Sequence, residues 1–305
     1  MTDSIICTLF ENDYHAGFGA LVNSLVKAGF SGTFVAGYRG TLPDWIHERL
    51  TGNPNEFSVD TVSVHLEQLE TDVHFTLYKP NYLLKLAERF PEAKRLYYFD
   101  PDIIVKTRWS YFESWVNSGV ALCEDVSSPL LETDPTRQLW REDFPKMESR
   151  AKDPVYVNGG FIGIKVEDLG FLRLWKEVQD KIIPKLGTVD FSAGDRSDPY
   201  FIFDQDLLNI TKELTDIPLI ITDKSQMDFP DGGFIMSHAI GQPKPWQKNF
   251  LADLVLKGHR PSKTDKIYFQ HTYRPLDVYS KHSLSRRLKL ANLSAARLLS
   301  RVIAS

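Results

Sequence analysis

Leu96-Tyr97-Tyr98-Phe99-Asp100-Pro101-Asp102-Ile103-Ile104-Val105 carries two carboxylates that interrupt what otherwise reads as a buried strand. Ionised side chains are costly to bury unless they are paired or bound to a cation. In an extended segment residues two apart share a face, so the spacing predicts that Asp100 and Asp102 converge on one cation. Pro101 fixes a backbone torsion and removes a ladder donor, which suits a strand end better than a strand centre. Carboxylates at the end of a parallel strand face the crevice in which open α/β sheets bind their ligands. The pattern alone is weak: it arises by chance roughly once in a chain of this size, and Asp204-Gln205-Asp206 is a second example. A turn or helix cap accounts for either pair, although a solvated turn would not need the apolar flanks of the first.

Outward from this stretch the chain alternates between β-rich runs and helical spacing. Residues 4–10 form a short apolar run, 18–27 repeat apolar residues at helical intervals, and 33–37 are β-rich again. Tyr82, Leu83, Leu86 and Phe90 mark a helix over 78–90 that feeds the strand ending at Asp100. Strands are expected at 120–123 and 161–166, with an amphipathic helix over 169–183 through Leu172, Leu174, Trp175 and Val178. Such alternation predicts an α/β fold with a mostly parallel sheet flanked by helices. Residues 184–203, rich in Gly, Asp, Ser and Pro, are long enough for a substrate-facing loop. We read residues 1–270 as the binding and catalytic domain and 271–305 as a separate tail.

Composition sets broad limits. With 305 residues, 42% of them hydrophobic and 25% charged, the chain has ample material for a core. A net charge of −4 offers no general basis for nucleic-acid binding. Cys7 and Cys123 lie inside apolar runs and read as small core residues in a reducing compartment, with a disulfide between them left open. The first ten residues lack a basic leader segment, and no apolar run approaches the roughly 20 residues of a membrane span. A cytoplasmic protein is expected. From Val278 onward there is no acidic residue, while Lys281, Arg286, Arg287, Lys289, Arg297 and Arg301 are basic. Leu284, Leu288, Ala291, Ala295, Leu298 and Val302 follow one helical stripe, blurred by Leu290 and Leu293 on the basic side. A basic amphipathic helix suits a membrane surface, and a stripe packed on the domain is the alternative.

A second constellation gives the carboxylates company: His238-Ala239-Ile240-Gly241-Gln242-Pro243-Lys244-Pro245-Trp246. His238 follows an apolar run and so stands at another strand end, and imidazole is the commonest side-chain metal ligand. Lys244 is a compact cation suited to a phosphate, and Gly241 lets a backbone amide approach one closely. Two carboxylates for a hard cation, with a lysine and a glycine turn, are the equipment for a diphosphate.

Four stretches in this order resemble the GT-A-fold glycosyltransferases, and among them the retaining glycosyltransferase family 8. Residues 96–105 look like the family's metal-binding D-x-D strand, and Val157 to Ile164 like its N-[AS]-G segment. Phe203 to Asn209 is similar to its D-Q-D-x-L-N segment, and 238–246 to its closing H-x-x-G-x-x-K-P-W motif. The resemblance implies a GT-A, Rossmann-like fold and a hexosyltransferase. Asp100, Asp102 and His238 would bind Mn²⁺ or Mg²⁺ against the diphosphate of a UDP-sugar. Lys244 and the Gly241 amide would hold phosphate oxygens, and Thr8 to Asp13 would belong to the nucleotide-binding start. Asn158, in the Asn158-Gly159-Gly160 turn, and Asp204 would contact sugar hydroxyls. Gln205 would lie near the anomeric carbon. Lys79 stands where the family usually has a donor-contacting arginine, so the charge is kept and the bidentate fork lost.

Gln205 is an amide and a poor nucleophile, and Asp204 has a binding role in the family. A front-face route, in which a leaving phosphate oxygen takes the acceptor's proton, is therefore expected. The acceptor would be a saccharide or lipid-linked glycan of cell-surface polysaccharide synthesis, with the enzyme peripheral on the inner face of the plasma membrane. Two other functions fit the same carboxylate pair: a nucleotidyltransferase making nucleotide-sugars, and an inactive nucleotide- or glycan-binding protein of the same fold.

Overall fold

The structure, a computed structural model, describes residues 3–149, 153–186, 200, 202–230, 232–279 and 284–302. Most of the loop expected at 184–203 and Lys281 of the tail lie outside the described residues. The chain opens with β1 (Ser4–Glu11), α1 (His15–Ala28), β2 (Gly32–Arg39), α2 (Asp44–His47), β3 (Glu56–Val59) and β4 (Val62–Gln68). Next come α3 (Phe75–Arg89), β5 (Arg95–Phe99), β6 (Ile103–Val105), α4 (Trp109–Asn117), β7 (Val120–Cys123) and α5 (Pro135–Asp143). Then follow β8 (Phe161–Lys165), α6 (Gly170–Leu186), α7 (Phe203–Leu214) and β9 (Leu219–Thr222). The order closes with β10 (Met236–His238), α8 (Phe250–Lys257), α9 (Lys263–Gln270) and α10 (Leu284–Val302).

These elements form two compact units. The first comprises Met1–Cys7, Glu70–Phe99 and Ser110–Lys224, and the second Thr8–Leu69, Asp100–Trp109 and Ser225–Ser305. In the first, the strand order is β1-β5-β8-β7-β9. β5 runs parallel to the start of β1, and β7 parallel to β9. β8 is antiparallel to both β5 and β7, so it alone is reversed among the five. Phe161 of β8 packs its ring 4.9 Å from that of Phe99 and 5.2 Å from that of Trp115, at the centre of an aromatic core. Helices α3, α6 and α7 pack on one another in sequence. Cys7 and Cys123 are both free and buried, and burial pushes the Cys123 thiol up to about 12.

In the second unit β2 pairs in parallel with β4, and β3 returns antiparallel along β4. A separate ribbon is formed by β6 and β10, antiparallel, with His238 opposite Ile103. The strand end expected at Asp100 is where this ribbon begins. The stretch 96–105 is not one continuous strand: β5 ends at Phe99, and the Ile103 amide donates to the Asp100 carbonyl at 3.0 Å across a turn. Pro101 has no amide to give a ladder, and an unbroken strand would carry both carboxylates into the sheet. The chain therefore turns at Asp100-Pro101-Asp102 and takes β10 as its new partner.

Helix α1 holds that turn. Ser24 Oγ donates to the Leu21 carbonyl and accepts the Val105 amide at 3.0 Å, fastening β6 to the helix. Gly17 makes the approach possible, since a Cβ there would stand 2.4 Å from the Pro101 carbonyl oxygen and 2.8 Å from the Trp246 ring. Buried Asn23 bonds the backbone of His271 and Leu276, fixing the segment that leads towards α10. α10 in turn packs on α8.

Candidate functional site

The second unit holds the three residues that could ligate a metal ion. One ligand atom each from Asp100, Asp102 and His238 lie within 4.8 Å of one another. Asp100 and Asp102 come from the turn after β5, and His238 from the last position of β10, opposite Ile103 in the ribbon. The carboxylates converge because the turn folds them together, not because an extended strand places alternate residues on one face. His238 Nε2 is 3.2 Å from Asp102 Oδ1 and 3.9 Å from Asp100 Oδ2. His238 Nδ1 is buried without a hydrogen-bond partner among the described residues, so the polar contacts of the ring are made through Nε2. Two carboxylates and one imidazole suit a hard or borderline divalent ion such as Mn²⁺ or Mg²⁺, and the three donors are close enough to share one.

Lys244 completes the cluster. Its Nζ donates to Asp102 Oδ2 at 2.5 Å and to the Ala239 carbonyl at 2.7 Å, and it lies 5.7 Å from the centre of the Tyr14 ring. Burial works against the charged form of Asp102, but His238 and Lys244 outweigh it and hold the carboxyl well below the usual carboxylate range. Burial likewise disfavours the Lys244 ammonium, yet the adjoining Asp102 carboxylate lifts its pKa above the ordinary lysine value. The result is a fixed Asp102–Lys244 ion pair at neutral pH. Gly241 takes a left-handed backbone (φ 77°), and a Cβ built there would meet nothing within 4 Å, so its surroundings are open. Asp13 accepts from Gln247 Nε2 at 2.7 Å, and Gln242 Nε2 donates to the Tyr14 hydroxyl at 3.0 Å. Thr8 is fully buried on β1. Tyr14, Gln242 and Gln247 were not expected from the sequence, because nothing in their local spacing separates them from other polar surface residues.

The first unit holds the remaining candidates. Lys79 is buried on α3, and its Nζ donates to the Gly159 carbonyl at 2.8 Å and to Asp204 Oδ2 at 2.9 Å. Asp204 and Gln205 stand in the first turn of α7. The Gly159 amide donates to Gln205 Oε1 at 2.8 Å, so Lys79 and Gln205 grip the two ends of one glycine. Asn158 donates to Asp125 Oδ2 at 2.7 Å and accepts from the Gly160 amide at 2.9 Å. Asp206 and Asn209 are structural: Asp206 accepts from the Tyr156 hydroxyl and the Ile202 amide, and Asn209 pairs with both backbone groups of Val157. Asp204 keeps its side chain 15% exposed, while Asn158 and Gln205 are buried. Asp125 was missed, although an acidic residue just beyond the apolar run 120–123 is the same signal that singled out Asp100.

No family model matches the chain, and no curated protein does. Among solved structures, it is similar to the apo structure of the WbbM bifunctional glycosyltransferase, with a TM-score of 0.53 and 14% identity. That match covers 95% of this chain and 52% of WbbM, so the chain spans about half the length of that protein. An active-site glutamine-to-glutamate variant of LgtC is similar at a TM-score of 0.51 and 13% identity, over 88% of this chain and 95% of that one. At these identities the likeness shows the fold alone. The chain has an α/β, Rossmann-like GT-A architecture, and its Asp100-Asp102-His238 cluster can hold a divalent metal ion.

Proposed function

We propose that this chain is a metal-dependent retaining glycosyltransferase that moves a hexose from a UDP-sugar to a saccharide or lipid-linked glycan. The observation that carries this reading is the Asp100-Asp102-His238 cluster with Lys244 beside it, set on a fold shared with a glycosyltransferase. A bound divalent ion would act as a Lewis acid towards the departing diphosphate. Asp100, Asp102 and His238 would hold that ion. Lys244 and the Gly241 amide would take phosphate oxygens, and Thr8 and Asp13 belong on the nucleotide side. In the first unit, Asp204 and Asn158 are the groups for sugar hydroxyls, with Lys79 and Gly159 holding Asp204 and Gln205 in place. The ion pair of Asp204 with Lys79 makes it a weak nucleophile, which favours the front-face route. There the bond from the anomeric carbon to the phosphate oxygen breaks as the acceptor oxygen bonds to that carbon, and the acceptor proton passes to the phosphate.

A panel of UDP-hexoses assayed with Mn²⁺ for UDP release tests this without an acceptor. Slow hydrolysis that stops on chelation and in Asp102→Asn is the expected result. Undiminished turnover with the metal chelated would remove the proposal. Pyrophosphate release from a nucleoside triphosphate would assign a nucleotidyltransferase instead, and UDP binding without any turnover an inactive binding protein.

A further inference from the structure

Helix α10 turns its apolar stripe away from the protein. At the helical repeat, Leu284, Leu288, Leu298, Leu299 and Val302 fall within an arc of about 100°. Leu284, Leu288, Leu298 and Val302 are 63–70% exposed and Leu299 is 43% exposed. The helix is fastened to its unit from another face. Leu293 and Ala296 are buried there, Lys289 Nζ donates to the Trp246 carbonyl, and Asn292 bonds Asn249 and the Leu251 amide. Of the two readings the sequence left open, packing of the stripe on the domain is not what the structure shows, and Leu293, which blurred the pattern, is the packing residue. α8, against which α10 lies, adds exposed Val255 and Leu256, followed by exposed Lys257, His259 and Arg260.

An exposed row of leucines needs a partner. Along 284–302 the charged residues are Arg286, Arg287, Lys289, Arg297 and Arg301, with no carboxylate among them. A second copy of this helix would set like charge against like, whereas an anionic bilayer supplies the opposite charge. No helix among the described residues is long and apolar enough to cross a membrane, so the contact is one of surface rather than span. We infer that α10 lies in the plane of an anionic lipid bilayer, its leucine stripe at the boundary of headgroups and acyl chains and the exposed Arg287 and Arg301 at lipid phosphates. This deepens the proposed function but stands on separate geometry. The Lys289 bond to the Trp246 carbonyl, two residues from Lys244, ties the docked helix to the loop that carries Lys244.

The test is co-sedimentation of the full chain with vesicles of phosphatidylglycerol and phosphatidylcholine, against vesicles of phosphatidylcholine alone. Binding at least tenfold stronger to the anionic vesicles, weakened by salt, is expected. Leu284→Glu/Leu288→Glu/Leu298→Glu should lower it at least tenfold with an unchanged circular dichroism spectrum. Arg287→Glu/Arg301→Glu, both exposed in the wild type, should lose the preference for anionic lipid and gives a second reading should the first variant fold poorly. No binding by the wild type, or undiminished binding by both variants, overturns the inference. So does a dimer seen by light scattering that the leucine substitutions abolish, which would assign the face to a second copy. Vesicle binding without Mn²⁺-dependent donor hydrolysis would leave the docking standing and remove the transferase; hydrolysis without vesicle binding would do the reverse.

Discussion

Asp102 is the residue on which the metal-binding cluster depends most. One of its oxygens meets His238 and the other meets Lys244, and its side chain is 5% exposed. Asp102→Asn removes a ligand, so Mn²⁺ affinity should fall at least about tenfold, the loss produced even by groups that merely support a ligand. It also leaves a buried ammonium short of its partner, which costs about 3–5 kcal/mol in comparable breaks, with Asp100 nearby to soften the loss. The pH dependence has a definite sign. The folded-state pKa of Asp102 is depressed, so its contribution is fully present above the ordinary aspartate value of about 3.9 and is lost only as pH falls below that, towards the folded value. Urea unfolding of wild type and variant across a pH series should show a constant gap from neutral pH down to about 4, narrowing below it. A gap that closes between about pH 7 and 5 would show that the pairing does not hold the carboxyl down.

At the scale of elements, the site rests on the meeting of α1 with the Asp100-Pro101-Asp102 turn. Gly17→Ala would push a methyl group against a backbone carbonyl and an indole, neither of which can swing aside. Overpacking of this kind costs about 1–3 kcal/mol. Mn²⁺ affinity should fall with stability, because the displaced turn carries two of the three ligands. Gly52→Ala, where a Cβ meets nothing within 4 Å, serves as the control and should leave both unchanged. Equal melting temperature and equal Mn²⁺ affinity in Gly17→Ala and wild type would mean that α1 does not seat the turn. The ribbon of β6 and β10 works alongside this contact, since its register sets His238 against Ile103, one residue beyond Asp102.

Across the whole molecule, His238 is distant in sequence from the Asp100-Asp102 pair, yet all three candidate metal ligands belong to one compact unit. Mn²⁺ should therefore slow amide exchange over 100–105 and 236–246, more than in the strands β7 and β9 of the other unit. At an ion concentration about 100 times its dissociation constant, binding adds about 2.7 kcal/mol of stability, which a thermal scan detects as a few degrees that chelation reverses. Protection spread evenly over both units would count against a localised site. Much of this organisation was legible beforehand: the β-α alternation, the mostly parallel strands, and His238 and Lys244 as companions of the acidic pair. The reversed β8 and the pairing of β6 with β10 were not, because a run of apolar residues does not say which neighbour its backbone will pair with.

The sequence by itself determined the inventory: two carboxylates and a histidine at the ends of apolar runs, a lysine and glycine at fixed offsets, and a terminal helix with one apolar stripe and no acid. Those properties are local, written in residue type and spacing. Only the tertiary structure decided how the parts meet. It bent the acidic pair into a turn, set His238 and Lys244 against Asp102, engaged Lys79 with Asp204 and Gly159, and chose Leu293 rather than the leucine stripe to pack α10. Apart from the turn itself, each of these is a contact between segments far apart in the chain, fixed by which backbone groups and side chains can be satisfied together. The residues of Asp100-Pro101-Asp102 advertise a cation, and the fold supplies the geometry that could hold one.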